Sequence, residues 1–150
     1  MSATCPDFPG SAPLAIQLIL LGHRLAHLLE RRLARYDLNH TQAAIIMALD
    51  RRPGLMAQDL AHPVKVEPPS VTRALQALER RGLVCREPHP TDGRASLFHL
   101  TNSGREEAAN LARLFRETSA ELEEAVPPAD LAALRGVLSA LFVRTDRMRG

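Results

Sequence analysis

Leu14, Leu18, Leu21, Leu25, Leu28 and Leu29 recur with helical spacing, and Arg24, Glu30, Arg31, Arg32 and Arg35 fill the other side. That pattern predicts one long amphipathic helix over 14–36. Asn39, with Gln42 three residues on, has the offset of a capping box and opens a second helix over about 41–51. Pro53-Gly54 breaks it, and a brief third helix runs over 57–62 to Pro63. In 67–81 the apolar residues Val71, Ala74, Leu75 and Leu78 fall at i, i+3, i+4 and i+7. The opposite face carries Pro69, Thr72, Arg73, Gln76 and Arg80. Pro68-Pro69 suits an opening turn, where a missing N–H is harmless, and Gly82 suits a left-handed stop.

Beyond this helix the period changes. Leu83–Glu87 is predicted as a short strand, 88–96 as a turn-rich tip holding Asp92-Gly93, and Leu97–Thr101 as a second strand. Helix, strand, basic tip, strand is the order of a winged helix-turn-helix. Ser103, with Glu106 three residues on, has capping-box form and opens a helix to about Glu124, striped by Leu111, Leu114, Phe115, Thr118 and Leu122. Pro127-Pro128 restarts the chain, with Asp130 in the new first turn. Leu131, Leu134, Leu138 and Leu141 then step by 3, 4 and 3, a seam suited to another helix. Met1–Pro13, with its prolines and small polar residues, is predicted as a flexible arm.

A chain of 150 residues suits one domain. Aromatics make up only 3% and Trp is absent, which argues against reading single-stranded nucleic acid by base stacking. Net charge is only +2, so attraction to DNA has to come from clustering. Residues 51–94 hold eight Lys/Arg against five acids, an excess placed where the helix and wing are expected. The apolar run Leu18–Leu21 is far too short for a membrane span, and the first thirteen residues lack signal-peptide form. Cys5 and Cys85 make neither a disulfide framework nor a metal spacing. A cytoplasmic protein without cofactor or metal is expected.

The matching stretches Leu60-Ala61, Ser70-Val71-Thr72-Arg73, Leu78 to Val84, Pro90 to Arg94 and Leu100 to Gly104 resemble the MarR family of bacterial transcription regulators. The resemblance runs from about Leu14 to Met148. It implies a mainly α fold with a small β wing (α+β), in which a winged helix-turn-helix spans about 41–101. The end helices, about 14–36 and 103–149, would interlock as the dimerisation region of one domain over 14–150. It further implies a homodimeric repressor of double-stranded DNA, released by a small ligand, with half-sites of a pseudo-palindrome about one turn, ~34 Å, apart. Three departures stand out: Met56 where the family has a Ser or Thr helix cap, Lys65 for a turn glycine, and the extra prolines Pro63 and Pro68-Pro69.

The resemblance places Pro69, Ser70, Thr72, Arg73 and Gln76 at DNA bases or phosphates, with Arg80 as a phosphate contact or solvated residue. Arg94 would enter the minor groove, and Asp92 would help hold the wing's shape. Arg86 is divided between phosphate contact and a solvated face. The plain alternative for Arg73 is a salt bridge within the fold. His23, Arg24 and His27 are candidates to face a small aromatic or anionic effector, against plain packing or solvent. His23 and His27 alone make no closed zinc site. Cys5 is the candidate for a redox-sensing thiol, although no basic neighbour favours its thiolate; Cys85 is expected as a small core residue. No nucleophile–base set is assembled, so an enzyme is not expected. A winged-helix protein–protein module would keep the fold without needing a basic wing.

Overall fold

A computed structural model describes residues 10–64 and 68–148. Two compact units make up the chain, Met1–Ala109 and Asn110–Gly150. The elements follow in the order α1 (Leu14–Leu33), a 3-10 turn (Ala34–Tyr36), α2 (His40–Arg51), α3 (Ala57–Val64), α4 (Pro68–Arg80), β1 (Val84–Pro88), β2 (Ser96–Leu100), α5 (Asn102–Glu123) and α6 (Pro128–Arg147). Cys5 and Lys65 lie outside the described residues.

In the first unit, α2, α3 and α4 pack against one another, and the wing closes the remaining side. Ile45, Ile46 and Leu49 of α2, Leu60 of α3, and Val71, Leu75 and Leu78 of α4 are all at most 1% exposed. The i, i+3, i+4, i+7 stripe of α4 is therefore its core face. Asn39 begins α2 with both halves of a capping box: its Oδ1 accepts the Gln42 amide at 2.9 Å, and Gln42 Oε1 accepts the Asn39 amide at 3.0 Å. At α3 the family's hydroxyl cap is missing, and Met56 stands in its place. Asp59 Oδ2 nevertheless accepts the Met56 amide at 3.4 Å, so half a box survives from the other partner.

The wing is an antiparallel pair in which Val84 faces Leu100, Arg86 faces Phe98 and Pro88 faces Ser96. Leu55, between α2 and α3, adds a short third rung: the Phe98 amide donates to Leu55 O at 2.9 Å, and the Gly54 amide to Phe98 O at 3.0 Å. Val84, Phe98 and Leu100 are buried. Cys85 is exposed, contrary to the core position expected for it. Strand alternation turns it away from Val84, and a two-stranded ribbon has only one covered face.

The wing returns to α5 through Thr101. The expected cap, Ser103, is not the one used. Thr101 Oγ1 accepts the Gly104 amide at 3.0 Å and donates to Gly82 O at 2.6 Å, so α5 starts at Asn102. One hydroxyl thus joins the end of α4, the end of β2 and the start of α5.

α1 stops short of the expected Tyr36, its last turn tightening to 3-10 geometry. It leaves Leu14, Ile16, Ile19 and Leu21 exposed. In the second unit, Leu111, Leu114 and Thr118 of α5 are buried. Thr118 satisfies its hydroxyl on Leu114 O at 2.8 Å, while Leu122 at the end of the expected stripe is exposed. On α6, Leu131 and Leu141 are half-buried, whereas Leu134, Val137, Leu138, Phe142 and Val143 are exposed, a wider apolar surface than the seam alone. No single described helix is long and apolar enough to cross a membrane.

Candidate nucleic-acid interface

With one face of α4 committed to the core, the other is presented to solvent. Pro69, Thr72, Arg73, Gln76 and Arg80 are exposed and Ser70 is half-buried. Thr72 bonds its hydroxyl back to Pro68 O at 3.2 Å, which steadies its rotamer while leaving the oxygen's lone pairs outward. Among the described residues, the Arg73 guanidinium has no ion-pair or hydrogen-bond partner. Ser70 and Arg73 border a groove of about 340 Å³ with Asn39, Thr41 and Gln42 at the start of α2. The sequence marked Asn39 and Gln42 only as a helix cap and did not mark Thr41, so none of the three was expected at the site. The polarity of the groove follows only from the packing of α2 beside α4.

The wing tip is built from backbone turns. The Ala95 amide donates to Asp92 O at 3.0 Å, and Asp92 Oδ1 accepts the Arg94 amide at 3.0 Å. Asp92 thus shapes the tip through the backbone of Arg94 and leaves its side chain alone. His89 reinforces the turn: its Nδ1 accepts the amides of Thr91 and Asp92 at 3.3 and 3.2 Å. This residue went unnoticed in the sequence, since a lone histidine between prolines carries no periodic signal. The Arg94 guanidinium has no partner among the described residues. It borders a second groove, of about 380 Å³, whose apolar floor includes Met56 and Phe98.

Arg86 is engaged differently. Its Nε lies 3.4 Å from Glu79 Oε1, tying β1 to α4, with the arginine side chain 66% exposed. Such an exposed pair adds little stability, but it partly neutralises Arg86. His23, Arg24 and His27 are all exposed on α1. Among the described residues, no group of three or more His, Cys, Asp or Glu is arranged to hold a metal ion.

A helix with one face buried and the other exposed, beside a two-stranded hairpin with Arg94 at its tip, is an arrangement shared with known proteins. The MarR family model covers residues 38–96, from the start of α2 to the wing. An HTH-type transcriptional regulator of Mycobacterium bovis is 30% identical over 135 residues, 90% of this chain and 94% of that protein. This chain belongs to the MarR family.

A second relative, an HTH-type transcriptional regulator of Mycobacterium leprae, is 38% identical over 104 residues, covering 68% of this chain and 73% of its own length. Solved MarR-fold structures agree on the architecture at lower identity. The S. aureus MepR–DNA complex matches with a TM-score of 0.79 and 20% identity over 89% of this chain and 99% of that one. E. coli MarR without ligand matches with a TM-score of 0.76 and 23% identity over 87% and 96%. The MarR family consists of transcription regulators, so membership answers the enzyme alternative as well.

Proposed function

We propose that the chain is a sequence-specific repressor that binds double-stranded DNA as a homodimer and is released by a small ligand. The observation that carries the reading is a pair of exposed guanidiniums without a partner among the described residues, Arg73 on the outer face of α4 and Arg94 on the wing tip. A basic residue held out from a buried helix face is placed to reach a base edge or phosphate in a major groove. One on a narrow hairpin suits the minor groove. MepR of S. aureus, which shares the fold, is known bound to DNA. In this reading Pro69, Ser70, Thr72, Arg73 and Gln76 meet bases and phosphates, Arg80 and Arg86 meet the backbone, and Asp92 keeps Arg94 in place.

The dimer reading rests on the apolar residues that α1 and α6 leave in water. Leu14 and Phe142 are each 58% exposed, and their neighbours Ile19 and Val143 are about half exposed. Exposed apolar residues this dense mark an interaction surface. We assign the dimerisation region to about 14–36 and 103–149, and the DNA-binding part to about 41–101, within one MarR-like domain. Light scattering at micromolar concentration is expected to give twice the 16.5 kDa chain mass. In vitro selection from random DNA is expected to return a pseudo-palindrome with half-sites about 34 Å apart. A monomer that still selects a specific site, or selection of single half-sites, would overturn the dimer.

For the effector, the reading places an aromatic carboxylate against His23, Arg24 and His27. Release requires that it bind the non-DNA-binding arrangement more tightly, since a ligand with equal affinity for both states shifts nothing. Salicylate titrated into the protein–DNA complex is expected to weaken it, and Arg24→Ala or His27→Ala to abolish that weakening. An undiminished response in both variants would place the pocket elsewhere.

A further inference from the structure

Two helix ends in the first unit have the same geometry, and one side chain joins them. At the end of α4 the Gly82 amide donates to Glu79 O at 2.9 Å and the Leu83 amide to Leu78 O at 3.0 Å, with Gly82 at φ 67°. At the end of the 3-10 turn the Asp37 amide donates to Ala34 O at 3.2 Å and the Leu38 amide to Leu33 O at 3.3 Å, with Asp37 at φ 54°. These crossed bonds are the Schellman pattern. In both, the residues that flank the turn are buried, Leu78 with Leu83 and Leu33 with Leu38. Such endings leave the last carbonyls without an intrahelical donor. Arg81, the cap residue of α4, supplies one from outside: its Nη2 donates to Tyr36 O at 2.9 Å and its Nη1 to Asp37 O at 2.6 Å.

A guanidinium is a rigid planar fork, so two carbonyls taken together fix a direction as well as a distance. The fork spans the end of the recognition helix and the corner where α1 turns into α2. At its other end α1 carries the exposed Leu14, Ile16, Ile19 and Leu21. The direction of α4 relative to that apolar face is therefore held at this corner. Small errors there matter: moving each of two recognition helices by ~1.7 Å alters their separation by roughly one 3.4 Å base-pair step.

We propose that Arg81 is a positioning residue for DNA recognition, setting which half-site spacing the protein accepts through its fork on the Tyr36 and Asp37 carbonyls. The inference rests on the homodimer reading. Arg81 itself touches no base or phosphate in this role.

The test uses the operator selected by the parent protein, versions with one base pair inserted or removed at its centre, and random DNA. The parent is expected to lose about tenfold or more per changed base pair, the scale of a substantial site mismatch. In Arg81→Ala that ratio is expected to shrink to about threefold or less, while affinity for random DNA stays within about threefold. Arg81→Lys keeps the charge without the fork and is expected to lose spacing discrimination as the alanine variant does. Should the alanine variant not fold by circular dichroism, the lysine variant carries the comparison. An unchanged spacing ratio with all affinities lowered in parallel overturns the proposal, as does full rescue by lysine. Loss of the dimer in the variants also overturns it, because Arg81 would then act on assembly. A monomeric parent removes the dimer reading and this proposal together, whereas a dimeric parent with unchanged ratios removes this proposal alone.

Discussion

Gly104→Ala is expected to lower the midpoint of thermal unfolding by roughly 5–15 °C, the shift that about 2–4 kcal/mol produces in a chain of this size. A Cβ at this position would stand 2.0 Å from the Leu83 carbonyl oxygen and 3.0 Å from its carbon. The obstacle is backbone, and it is fixed. The same Leu83 oxygen accepts the Thr101 amide at 3.1 Å, and Thr101 caps α5 on the Gly104 amide while donating to Gly82 O. Relief of the clash therefore has to separate α5 from the α4–β1 corner, and the wing is hinged at that corner. Gly93→Ala is the control, because a Cβ there meets nothing within 4 Å. Thermal unfolding followed by circular dichroism measures both. A Gly104→Ala midpoint within about two degrees of the parent would mean that the close approach is not a constraint in solution.

The second large effect separates the two arginines. Arg73→Ala is expected to cost ~1–3 kcal/mol on the operator and to relax preference at one base position, with less change on random DNA. Arg94→Ala is expected to weaken binding to all sequences alike and to flatten the salt dependence by about one unit. Asp92→Ala should follow Arg94→Ala, since Asp92 Oδ1 holds the amide of Arg94 in the tip. Asp92→Asn keeps an acceptor oxygen and should retain most of the parent affinity. Affinities on operator and random DNA at several salt concentrations separate these outcomes. If Arg94→Ala binds as tightly as the parent throughout, the wing is not a DNA contact and the protein–protein reading of the fold gains.

Most of the local structure was legible in the sequence, and the reason is periodicity. The α4 stripe of Val71, Ala74, Leu75 and Leu78 is buried as its spacing required, because a helix offers no other way to hide those four residues together. Asn39 and Gln42 close their box because the contact spans three residues and depends on nothing distant. The Asp92-Gly93 turn likewise forms within its own few residues.

Contacts between distant stretches were decided only by the tertiary structure. Arg81 reaches carbonyls 44 and 45 residues away, and no spacing rule announces such a pair. Thr101 displaced Ser103 as the cap of α5 because its hydroxyl also meets Gly82 O, a partner brought near by the end of α4. Cys85 was expected inside since a small apolar residue on a strand usually is. Which face of a two-stranded ribbon is covered depends on what packs beneath it, and Val84, Phe98 and Leu100 hold that side. The sequence does not say which arginine is paired; only the fold places Glu79 beside Arg86 and leaves Arg73 without a partner among the described residues. Local hydrogen bonding and periodic burial are properties of a short stretch of chain, whereas the partner of a long side chain is a property of the packed molecule.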